Sequence, residues 1–130
     1  MTIKKNKITS FNNINTMNDV EKLRSIYDYI FIKKDHFLYK IKIHDIKWIK
    51  SEGNYLDIHC IKSKHLIRYS LKEFLNQLPS DIFIQVHRSY IVNIHFVDAF
   101  AHRMLKIGNI YIPIGQSFVG NIQNKLNILL

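Results

Sequence analysis

Three regimes of hydrophobic patterning follow one another along the chain. Residues 1–16 are polar and Asn-rich, with no period that would bury a face, and are expected to be loosely ordered. Asn18 and Glu21 then form a capping pair. Val20, Leu23, Ile26, Tyr27 and Ile30 recur at helical spacing, which predicts a short helix over 19–28. Beyond it the period drops to two. Phe37, Tyr39, Ile41 and Ile43 alternate with Leu38, Lys40 and Lys42, the pattern of a half-buried strand. Strands are also predicted at 46–50, 55–61, 65–69, 82–86, 96–101, 103–107 and 110–114. Ser51-Glu52-Gly53-Asn54 and Gly108-Asn109 are the turn signals between neighbouring strands, because Gly and Asn tolerate positive φ.

Two helical patterns interrupt the strands. Ser70 and Glu73 form a capping box, Leu71, Phe74, Leu75 and Leu78 follow the i, i+3, i+4, i+7 rule, and Pro79 ends the helix. After Gly115-Gln116-Ser117, the residues Val119, Ile122, Leu126 and Leu129 give a C-terminal helix a narrow apolar stripe. The expectation is a mainly β domain over 29–130, with about eight short strands, one inserted helix and a C-terminal helix, preceded by a partly disordered segment over 1–28. Connections this short exclude βαβ crossovers and favour antiparallel pairing.

Composition narrows the partner. The 130 residues suit one domain. Lys and Arg number 19 against 10 Asp and Glu, a net charge of +9. Residues 31–130 hold fourteen of the basic and seven of the acidic groups, so the excess sits on the strand-rich part and not on a tail. Such a balance favours polyanions, nucleic acid before an anionic membrane surface. The single Cys60 forms no intrachain disulfide and reads as a small buried hydrophobe suited to a reducing compartment. The start of the chain lacks the apolar core of a secretory signal, and no run is long enough to cross a membrane, so a cytoplasmic location without membrane contact is expected.

Catalysis and metal binding find little support. The seven His include no HExxH, and the single Cys provides no thiolate ligand set. His87 and Ser89 are close in sequence, but no Gly-flanked nucleophile and no neighbouring acid accompany them. No cofactor is expected. Trp48 reads as core, with a stacking platform for single strands as the alternative.

The segment QVHRSYIVNIHF, residues 85–96, sets an Arg in the middle of an apolar stretch. Ser89 is expected to cap a single helical turn that Asn93 closes in the left-handed region, with His87 as a structural hydrogen-bonder, so that all three support a rigid corner from which Arg88 projects. A guanidinium on such a corner matches guanine O6/N7 or a phosphate bidentately. The alternative is a surface Arg paired with Asp81.

Around this segment WIKSEGNYLDIH, YSLKEFLNQLP, FIQVHRSYIVNIHFV and LKIGNIYIPIGQSF occur in order at fixed spacings. That set, over residues 29–128, resembles the LytTR family of DNA-binding domains found in bacterial response regulators. The resemblance implies small antiparallel sheets stacked in an elongated domain, binding double-stranded DNA without a recognition helix. Loops on one edge would enter two successive major grooves, and a pair of molecules, a homodimer on the DNA, would occupy direct repeats. It implies base contacts by Asn54 in the turn after the second main strand, by Arg88 after the motif His, and by Gln116 before the last helix. Many relatives carry Ser-Arg where this chain has Gly115-Gln116; an amide reads adenine better than guanine. Lys50, Lys62, Lys64, Arg68 and Arg103 are candidates for phosphate contacts. Receiver domains are far longer than residues 1–28, so the expectation is a stand-alone LytTR protein or the DNA-binding part of a longer regulator. The second functional reading is a protein-interaction module, self-associating through the 19–28 helix and regulating other LytTR proteins.

Overall fold

The computed structural model describes residues 28–129, which form two compact units dividing after Asp45. The helix expected over 19–28 lies outside the described residues save for Asp28.

In the first unit β1 (Tyr29–Lys34) and β2 (Phe37–Lys42) make an antiparallel hairpin, followed by a 3-10 turn at Ile43–Asp45. β1 was not among the expected strands. Its run Tyr29-Ile30-Phe31-Ile32 has no alternation in hydrophobicity, and Ile30 also completes the helical spacing of the segment before it. Ile30, Ile32 and Ile41 are buried on one face, but Phe37 and Tyr39 of the same expected inward row are exposed. Alternation reports which residues share a face, not how far along the strand that face is covered.

The second unit is built on a five-stranded antiparallel sheet. Its strands are β3 (Ile46–Glu52), β4 (Tyr55–Cys60), β5 (Lys64–Arg68), β6 (Phe83–His87) and β7 (Tyr90–Asn93), in the order β5-β4-β3-β7-β6. A three-stranded sheet follows, with β8 (Ala99–Ala101), β9 (Met104–Ile107) and β10 (Ile110–Pro113) in the order β10-β9-β8. The fold is therefore mostly β, in small antiparallel sheets, as the patterning predicts. Among the described residues the strands number ten rather than eight, because β1 and β7 escaped the pattern.

Period-two burial explains how the sheets stack. Trp48, Val92, Ile84 and Val86 point to one face of the large sheet and pack with Leu105, Ile107, Ile112, Ile114 and Ile122 into one apolar cluster. Ile49, Ile58, Leu56, Ile67 and Ile91 are buried on the other face. Trp48 is thus core, with its ring stacked on His59 at 4.3 Å between centroids. Cys60 is buried, as expected of it.

The helices are shorter than their patterns. α1 (Leu71–Leu75) starts at Ser70, whose hydroxyl accepts from the Glu73 amide at 3.3 Å, and it buries Leu71 and Phe74. Tighter i→i−3 bonds then carry the chain to Leu78, which is buried just before Pro79. α2 (Val119–Lys125) buries Ile122, while Leu126 is already extended and Leu129 is 90% exposed. The C-terminal stripe therefore holds for one turn on either side of Ile122 and not to the end of the chain.

Gly108 turns the β9–β10 hairpin at φ +57 with nothing near its missing Cβ. A Gly108→Ala change meets no neighbour and carries only the backbone cost of a left-handed L-residue, about 1 kcal/mol. It should lower the urea midpoint without changing the slope of unfolding.

Candidate nucleic-acid interface

The register of the large sheet decides which loops are neighbours. β3 and β7 run antiparallel with Lys50 opposite Tyr90, so the end of β3 lies beside the start of β7. The Ser51 amide donates to the Ser89 carbonyl at 2.8 Å, tying the β3 end to the β6–β7 turn. Beyond β6, the Gly115 amide donates to the Val86 carbonyl at 2.8 Å, and a Cβ on Gly115 would stand 3.7 Å from the His87 Cα. Three connections therefore meet at one end of the sheet: the β3–β4 turn with Asn54, the β6–β7 turn with Arg88, and the segment after β10 with Gln116. Neighbouring strands lie about 4.8 Å apart. The first two turns are thus separated by about 10 Å, and the third adjoins the second across β6. Asn54, Arg88 and Gln116 are all exposed.

The Arg88 corner differs from the expected helical turn. Tyr90–Asn93 is strand, and Arg88-Ser89 forms a two-residue hairpin turn. A bulge between Gln85 and His87 sharpens the strand's twist just before it. His87 holds the turn as expected: its Nδ1 accepts from the Ser89 amide at 3.1 Å, which requires that nitrogen unprotonated, and its ring meets Tyr90 edge-on. Gln85 Nε2 adds a bond to the His87 carbonyl at 3.2 Å. Ser89 contributes through its main chain, donating to His87 and accepting from Ser51, rather than through a hydroxyl cap.

Asn93 sits at the far end of β7, in extended backbone with φ −86, and does not close the Arg88 turn. It caps the following 3-10 turn by accepting from the His95 amide at 2.9 Å, and its Nδ2 donates to the Ile46 carbonyl at 2.9 Å. It is the one fully buried polar side chain among the described residues. Spacing alone linked Asn93 to Arg88; the long-range bond to Ile46 leaves no local trace.

Arg88 has no ion pair or hydrogen-bond partner among the described residues, Asp81 included. Asp81 precedes β6 and Arg88 follows it, so the strand's length separates them.

The five remaining cations divide between two ends of the sheet. Arg68 closes β5 opposite Tyr55, and it lines an open cleft of about 480 Å³ with Ser51, Gly53, Asn54, Tyr69, Ser70 and Leu71. Lys50 lies beside Tyr90, its Nζ 6.0 Å from the ring centroid. Arg103 pairs with Ile114, which directly precedes Gly115. These three share the end that carries Asn54, Arg88 and Gln116. Lys62 and Lys64 flank the β4–β5 turn at the opposite end, and Lys64 is already 3.6 Å from Asp57. The structure does not bring them together with the other candidates. Sequence reasoning passed over Ser51 and Gln85, whose bonds fix the corner, because neither belongs to a local motif.

Among the described residues, no group of three or more His, Cys, Asp and Glu is arranged to hold a metal ion. No described helix is long and apolar enough to cross a membrane.

Comparison with known proteins agrees with this architecture. The model of the LytTr DNA-binding domain matches residues 36–127. A solved LytTr DNA-binding domain, from a protein of Bacillus cereus described as a methyl-accepting/DNA response regulator, superposes with a TM-score of 0.67 at 23% identity. It covers 78% of this chain and 98% of its own, a likeness of fold. An uncharacterized response regulatory protein of Vibrio cholerae is 33% identical over 69 residues, half of this chain. The matched stretch spans only 26% of that relative's length. With the family model matching residues 36–127, most of the described residues, and a like fold, the chain belongs to the LytTR family of DNA-binding domains.

Proposed function

We propose that the protein binds double-stranded DNA sequence-specifically through the rim formed by the β3–β4 turn, the β6–β7 turn and the segment before α2, and that it acts as a bacterial transcription regulator. The observation that carries this reading is the convergence of three exposed side chains with base-reading chemistry on one sheet end. Arg88 is suited to guanine O6/N7, and Asn54 and Gln116 to adenine N6/N7. Each stands on a connection braced by main-chain bonds, so little order is lost on binding. The rim enters the major groove, with Lys50 and Arg68 against flanking phosphates. A pair of molecules occupies direct repeats, and no metal or cofactor takes part.

Selection of bound duplexes from a random pool tests the reading. It should recover a motif containing a guanine flanked by A·T pairs, repeated in the same orientation. If about three phosphates are neutralised, affinity should fall about 40-fold between 50 and 200 mM salt. A chain that retards no duplex even at the lower salt, or a selected pool without a motif, overturns the proposal.

A further inference from the structure

Arg103 occupies a backbone position that its side chain does not favour. It turns β8 into β9 at φ +71, in the left-handed region where Gly and Asn are at home. Elsewhere in this unit the same need is met by glycine, at Gly53 with φ +60 and Gly108 with φ +57. Strain of this kind persists where the side chain has a task.

The contacts of Arg103 indicate that task. Its carbonyl accepts from the Ile114 amide at 2.9 Å, and its Nε donates toward the Ile114 carbonyl at 3.5 Å. Residues 103 and 114 thus continue the β9–β10 ladder by one pair, and the next residue, Gly115, is bonded to Val86. The guanidinium is thus oriented with its Nε toward the strand that leads into Gln116. Its two Nη groups have no partner among the described residues, and the residue is exposed. A fork held at Nε with both Nη groups free is preorganised for two parallel bonds to a phosphate.

We infer that Arg103 is a DNA phosphate clamp that fixes the register of Gln116, gripping the backbone next to the base pair this amide reads. The inference rests on the DNA-binding reading above. Because the clamp and Gln116 share one braced strand end, holding the phosphate fixes how deep Gln116 enters the groove. Arg103 also closes the row of rim groups on the side of the small sheet, as Arg68 does on the side of β5.

Arg103→Gly tests it, because glycine relieves the backbone while removing the fork. The probe is the duplex selected from the random pool. The variant should fold with thermal stability at or above that of the parent. It should bind the duplex about tenfold more weakly and lose about 0.9 from the slope of log affinity against log salt. A duplex carrying one neutral methylphosphonate, moved along the site, should weaken the parent at one phosphate beside the Gln116-read pair and leave Arg103→Gly unaffected there. Arg103→Lys, which keeps charge without the fork, should recover only part of the affinity. Parent affinity and salt slope retained in Arg103→Gly would overturn the clamp while leaving the DNA-binding reading intact. Failure of the parent itself to bind any duplex would remove that reading first.

Discussion

Replacing Arg88 by alanine is expected to weaken binding to the selected duplex by about 1–3 kcal/mol while changing binding to random duplex far less. The difference arises from what the guanidinium touches. A bidentate pair with guanine O6 and N7 exists only on the right sequence, whereas a phosphate contact exists on every sequence. Arg88 enters the encounter without a protein partner to give up, since no carboxylate holds it among the described residues. Its turn is braced by His87 and by Ser51, so truncation removes the reader without loosening the corner. Titration of both duplexes at one salt concentration checks this. An equal loss on both would make Arg88 a phosphate contact and end its role as a reader. Unchanged binding on both would remove it from the interface.

The largest stability effect is expected at Asn93. A change to leucine keeps the volume but leaves the Ile46 carbonyl and the His95 amide unpartnered, the first of them deep in the core. The stranded buried carbonyl costs about 1–3 kcal/mol, and the lost cap on the His95 amide, which belongs to an exposed residue, about 1 kcal/mol more. That is a large share of the stability of a small domain. Asn93→Asp should be nearly as damaging, because a carboxylate cannot donate to the Ile46 carbonyl and would carry charge into the interior. Both effects are read from urea unfolding. DNA affinity of the folded fraction should change little, because Asn93 lies at the end of the sheet away from Arg88. A variant as stable as the parent would show that these two bonds contribute nothing net.

What the sequence made legible follows the range of the interactions involved. The Ser70 N-cap, which is one half of the expected capping box, the Gly108 hairpin and the half-buried strands are written in residues a few positions apart, and the structure has them in place. Two strands escaped for opposite reasons. β1 is apolar without alternation, and Ile30 fits a helical period as well as a strand. β7 was read as a helical turn because Ser89 and Asn93 have the residue types and spacing of caps. Its pairing with both β3 and β6, which decides the matter, is made with partners distant in sequence. The site was legible as three separate turns. Their convergence was available only through the resemblance, since it depends on Ser51 meeting Ser89 and Gly115 meeting Val86. The same limit explains why five cations looked equivalent. A strand's length separates Lys62 and Lys64 from the rim, and nothing local marks which end of a strand a lysine occupies.

Gly115 has a consequence for anyone who would redesign the proposed reading rim. A Cβ there would stand 3.0 Å from the Phe118 ring, so any larger residue needs that ring to give by a few tenths of an ångström. Replacing Gly115 and Gln116 by Ser-Arg is therefore coupled to Phe118 as a third position. Transplanting the dipeptide alone would displace this ring, confounding any change in binding with a shifted scaffold.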